Sequence, residues 1–101
     1  MPKLFEYLGI VIYFYSREHE PIHVHGEYNG KESKSEIFIE NGKVVRIEFV
    51  KVAGLKPLEG DILKNFEIFV KKYADEIVQK WIDYFILHKK IEFERITRRI
   101  K

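Results

Sequence analysis

Asn-Gly occurs twice in this chain, at Asn29-Gly30 and Asn41-Gly42, each time between stretches that read as strands. Both central residues of a type I′ turn need positive φ, which Asn and Gly adopt at least cost, so each pair predicts a two-residue hairpin. Two such turns in succession commit the middle of the chain to an antiparallel meander. Residues 22–28 lead into the first turn, 32–40 join the two, and 43–52 leave the second. Ahead of them, residues 9–16 are rich in β-branched and aromatic side chains on both faces, which suits a central strand covered on both sides. Residues 17–21 are polar and read as a connection; Pro21 has no amide to donate, so it suits a strand start or an edge. In the last strand Val45, Ile47 and Phe49 alternate with Arg46 and Glu48, which predicts one buried and one wet face.

The second half changes period. Gly54, Pro57 and Gly60 punctuate a loop over 53–60. Asp61 is placed to cap a helix, its carboxylate accepting free amides of the first turn. Ile62, Phe66, Phe69, Val70, Tyr73, Ile77, Val78, Trp81, Ile82 and Phe85 then recur at helical spacing. A single helix over 61–89 would be about 43 Å long; a break at 73–75, with Asp75 as a new cap, would give two shorter ones. The apolar stripe predicts packing on one face of the sheet. Residues 91–96 alternate and offer a fifth strand. The expectation is one α+β domain over 1–101: an antiparallel meander of about four strands, one long or two shorter helices, and a candidate C-terminal strand.

Composition supports a single core: 46% of the 101 residues are hydrophobic and 15% aromatic. Charged residues make up 34%, enough to cover the surface, and the apolar content argues against disorder. The absence of cysteine excludes disulfides and thiolate metal sites and suits a reducing cytoplasm. No run approaches the roughly 20 apolar residues of a membrane-spanning helix, so the expectation is a cytoplasmic chain with no membrane partner. The net charge of +2 hides an asymmetry. Lys89, Lys90, Arg95, Arg98, Arg99 and Lys101 face only Glu92 and Glu94 after residue 85, so a basic tail follows a nearly neutral body. Such a tail is either simply solvated or touches nucleic acid or an acidic partner, through Arg95, Arg98, Arg99 and Lys101.

Chemistry concentrates at residues 19–28, His-Glu-Pro-Ile-His-Val-His-Gly-Glu-Tyr, which hold three of the four histidines. Side chains alternate along a strand. His23, His25 and Glu27 therefore share one face, with Ile22, Val24 and Tyr28 on the other, and His19 joins the first set if the strand carries through Pro21. Three readings follow. Imidazoles two residues apart, about 6.7 Å along the strand, can converge on one ion: His23 and His25, with His19 or Glu27 and a water, would suit a divalent, zinc-type site, or nickel, copper or iron. Alternatively His19, His23, His25 and Glu27 form a metal-free proton-transfer set of the kind that cleaves RNA phosphodiesters. In that case Glu18, Glu20 or Glu27 orients an imidazole, and Arg17, Lys31 or the C-terminal arginines face the developing charge. The third reading is structural, with His, Glu and Tyr tiling a sheet face or an interface.

Other residues carry less. His88 follows the helical stretch, where a cation complements the helix dipole. Trp81 belongs to the apolar stripe. Tyr7, Tyr13 and Tyr15 could stack bases, but strand aromatics usually pack. The chain has no phosphate-binding glycine loop, zinc-finger spacing or serine nucleophile elbow.

The aromatic strand Gly9-Ile10-Val11-Ile12-Tyr13-Phe14-Tyr15, followed by His19-x-Pro21-x-His23-x-His25, resembles a family of small prokaryotic proteins. It is a domain-of-unknown-function family whose members include the DhiT-type host-inhibition toxins. The likeness covers residues 1 to about 28, and Trp81 matches a tryptophan late in the family's helices. Glu18 stands where the family typically has Asp, Ile22 where it often has Pro, and Gly54-Leu55-Lys56-Pro57 approximates its Gly-x-Leu-Pro. The resemblance implies the toxin half of a toxin–antitoxin pair, neutralised by a small antitoxin protein; RNA as a candidate target comes from the proton-transfer reading of the histidines. It implies roles for His19, Pro21, His23 and His25, flanked by Tyr13 and Tyr15.

Overall fold

A computed structural model of the chain describes residues 2–15 and 21–100. Strands β1 (Lys3–Tyr7) and β2 (Ile10–Tyr13) form a hairpin that the turn signals did not announce. Its turn is Leu8-Gly9, with φ of 48° and 87°. Leucine in the left-handed region costs roughly 1–2 kcal/mol, so nothing in the residue types marks the turn. Strands β3 (Ile22–Tyr28), β4 (Lys31–Glu40) and β5 (Lys43–Lys51) follow as the two Asn-Gly turns dictate. Both turns have positive φ at Asn and at Gly.

The register of β3 on β4 runs without a break from Tyr28↔Lys31 to Ile22↔Ile37. That of β4 on β5 is irregular between Phe38 and Ile39. The extra residue corrects the expected alternation: Val44 pairs with Ile39 and packs on the core, while Val45 turns out and is 55% exposed. Ile47 and Phe49 face inward as expected.

Helix α1 (Gly60–Trp81) is a single element with one non-helical residue, Tyr73 (φ −105°, ψ 17°). Of the two alternatives, one long helix or two shorter ones, the chain forms the first, with a kink where the break was placed. Glu59 occupies the capping position without a side-chain bond to the helix amides, and Asp61 sits in the first turn, where its charge favours the helix dipole. The expected Asp61 cap is thus displaced. Glu59 instead accepts from Lys31 Nζ at 2.6 Å, which ties the helix start to β4 and holds the Glu59 carboxyl below its ordinary range. After Trp81 the chain winds into a π-helical turn (Ile82–Ile86) and stops. His88 takes the left-handed position (φ 54°), and Lys89 N donates back to Asp83 O at 2.8 Å, a common way to end a helix.

Strand β6 (Glu94–Ile96) pairs parallel to β1, so the sheet order is β5-β4-β3-β2-β1-β6. Among the described residues the sheet thus has six strands, two more than the meander. The basic tail lies along the body: Ile100 N donates to Tyr7 Oη at 2.9 Å, and Ile96 and Ile100 pack on the core.

The core lies between α1 and one face of the sheet. Phe66, Phe69, Val70, Ala74, Ile77 and Trp81 bury the helical stripe against Phe5, Tyr7, Ile10, Ile12, Val24 and Ile37. Gly26 lets the helix approach β3: a Cβ there would lie 2.6 Å from the Phe66 ring, closer than packed atoms tolerate. The glycine between His25 and Glu27 is therefore a packing requirement of the inner face, and it sets the strand that carries the histidines on the outer one. Among the described residues no helix is long and apolar enough to cross a membrane.

Candidate functional site

The face of the sheet away from α1 carries the histidines. Cross-strand pairs lie side by side on one face, so the registers order its residues in rows. One row runs Lys3, Tyr13, His25, Lys34; the next runs Glu6, Val11, Glu27, Glu32, with Arg95 of β6 beside Glu6; a third pairs His23 with Glu36. The expected sharing of one face by His23, His25 and Glu27 holds. Arg95 joins that face at its far edge, its Nε 3.2 Å from Glu6 Oε2.

His25 is buried, with 2% of its surface exposed. Tyr15 stacks on it with ring centroids 3.7 Å apart, and Tyr13 flanks it at 5.7 Å. Both phenols donate to one carboxylate, Glu32, and His25 Nδ1 lies 3.2 Å from the same group. Glu32 is itself buried. Its partners account for that, because a carboxylate leaves water only where donors replace it. Burial, and then the bond to Glu32, push the Tyr13 phenol well above its ordinary range, so it stays a neutral donor.

His23 is half-buried, and its Nδ1 lies 2.7 Å from Pro21 O. A carbonyl only accepts, so this nitrogen carries the proton and the basic lone pair of the neutral ring is on Nε2. The two imidazoles meet edge to face with centroids 5.5 Å apart. Lys34 pairs with His25 in register, and its Nζ lies 3.8 Å from Glu36 Oε2. A depression of about 300 Å³ lined by Lys3, Val11, Tyr13 and Glu27 adjoins the cluster.

Glu27, one of the three carboxylates expected to serve the histidines, turns to the hairpin instead, where Gly30 N donates to it at 3.3 Å. Glu32 takes that place. The Asn29-Gly30 turn held the signal: a two-residue loop sets Glu32 opposite Glu27, and hence diagonal to His25, within reach of a long side chain.

His19 and Lys101 lie outside the described residues, as do Arg17, Glu18 and Glu20. Among the described residues no group of three His, Cys, Asp or Glu could hold a metal ion. The other tail arginines are apart from the cluster: Arg99 reaches Asn65 of α1 at 3.4 Å, and Arg98 is exposed.

A small α+β domain whose helix backs one sheet face, and whose other face holds a His-Tyr-Glu cluster, is the class of protein that these features define. The chain belongs to the family described as a domain of unknown function (DUF4160), whose model matches residues 9–82. That span holds β2 to β5, α1 and the whole cluster, and leaves β1 and β6 outside it. No curated protein and no solved structure matches the chain.

Proposed function

We propose that this chain is a growth-restraining module of the toxin type, held in check by a small antitoxin protein, with the histidine face as its effector surface. The chemistry that suits this surface is proton transfer on RNA in the cytoplasm. His23 Nε2 takes the proton of a 2′-hydroxyl as it attacks the adjacent phosphorus, and Lys34 faces the charge that develops on the phosphoryl oxygens. His25, beneath Tyr15 and beside Glu32, positions His23. His19, placed four residues earlier in the sequence, is the candidate acid for the leaving oxygen. The observation that carries this reading is the His23 Nδ1 bond to Pro21 O at 2.7 Å, which fixes the tautomer a general base needs. The resemblance of residues 9–25 to the host-inhibition toxins supports the biological side. The arginines at 95, 98 and 99 remain candidate contacts for the nucleic acid or the antitoxin.

The test is bacterial growth during induced expression, wild type against His23→Ala/His25→Ala at matched soluble levels, with RNA integrity followed in parallel. Arrest and RNA loss with wild type alone are expected. Arrest by both would remove the histidines from the effector role, and growth with both would remove the toxin reading.

The same bond favours a second reading, because a metal-bound imidazole commonly donates its other N–H to a carbonyl or carboxylate. In a zinc-type centre the ligands would be His23, His25 and His19. A rise in melting temperature with zinc or nickel that disappears in His23→Ala would support it; no rise in wild type would sink it.

A further inference from the structure

The outer edge of β5 ends the sheet on one side, and a strand edge is a template for another strand. We propose that β5 pairs antiparallel with β5 of a second copy of this chain, about a two-fold axis at Ile47, to give a symmetric dimer with a continuous sheet.

The sequence of β5 is self-complementary about that centre. With Ile47 opposite Ile47, Arg46 of each copy faces Glu48 of the other. Arg46 and Glu48 already form an ion pair within the strand, Nε to Oε2 at 3.0 Å. The two-fold converts this into a ring of four alternating charges, each carboxylate between two guanidinium groups. Opposite charges across strands stabilise a pair and like charges oppose it. A centre at Glu48 would set Glu48 against Glu48, which selects the register at Ile47.

Placement supports the same partner. Val45 is 55% exposed on this strand. Paired side chains point to the same face of a sheet, so both α1 helices lie on one side. The cleft beneath this edge, about 680 Å³ and floored in part by Val44, Ile47, Val78 and Ile82, then opens towards its copy. At the other end β6 has three residues, too few to extend the sheet, so the assembly closes at two.

The test is sedimentation equilibrium of the full chain over a range of concentrations, for wild type, Arg46→Glu and Arg46→Glu/Glu48→Arg, each checked for an unchanged far-ultraviolet spectrum. Wild type is expected to show a monomer–dimer equilibrium. Arg46→Glu sets glutamate against Glu48 twice and should raise the dissociation constant about tenfold or more. The double exchange restores complementarity and should restore the dimer. A wild-type chain monomeric at every concentration, a dimer indifferent to Arg46→Glu, or no recovery in the double variant would each overturn the proposal.

Discussion

Tyr15 lies flat on His25, their planes within 10° and their centroids 3.7 Å apart. The ring seals an imidazole that the sheet would otherwise present outward, and its hydroxyl ends on the carboxylate that also lies beside that imidazole. A polar cluster thus stands on the face where an antiparallel sheet ordinarily meets solvent.

The stack makes His25 less reactive than His23. Diethylpyrocarbonate labelling followed by peptide mass mapping should show His23 modified first and His25 protected. Replacing Tyr15 with alanine should bring the two rates together. Equal rates in wild type would contradict the burial.

Glu32 is the hub of the cluster. Glu32→Gln sets an amide N–H₂ among donors and leaves a phenol without its acceptor, and should cost about 1–3 kcal/mol in urea unfolding. Tyr13→Phe should cost about 1 kcal/mol. A double-mutant cycle of the pair should show coupling of at least about 0.5 kcal/mol; strict additivity would mean that the bond contributes nothing.

Alkaline stability follows from Tyr13. Its folded-state pKa is raised, so the unfolded phenol ionises at lower pH than the folded one. The contribution is therefore complete below the ordinary phenol value of about 10 and is lost as pH rises above it. Melting temperatures should fall more steeply above that pH in wild type than in Tyr13→Phe. Spectroscopic titration should find at least one tyrosine that ionises only on unfolding.

Gly26→Ala drives a methyl into Phe66 and should destabilise by about 1–3 kcal/mol. Phe66→Leu in the same chain should return part of that loss. A neutral Gly26→Ala would mean that α1 rides easily on β3.

The meander was legible because Asn29-Gly30 and Asn41-Gly42 encode both turn type and register in two residues. The shared face of His23, His25 and Glu27 followed from strand alternation alone. Leu8-Gly9 carries no such signal, since Leu8 is held at positive φ by the pairing around it, and so β1 was missed. The displacement of Val45 depends on one irregular step opposite Phe38 that no residue type announces. Glu32 was within reach of the turn geometry, whereas the approach of Tyr15 depends on how the chain leaves β2. The parallel placement of β6 is set by contacts across nearly the whole chain, which local pattern does not contain.

That last pairing has a kinetic consequence. Ile100 bonds to Tyr7 across a separation of 93 residues, so the β1–β6 clasp closes a far larger loop than either Asn-Gly hairpin does. Loop-closure entropy opposes it until the intervening structure has drawn the two segments together. The order of events is then β3-β4-β5 first, docking of α1 next, and the clasp last. Amides of β6 should accordingly gain protection from hydrogen exchange after those of β4 during refolding.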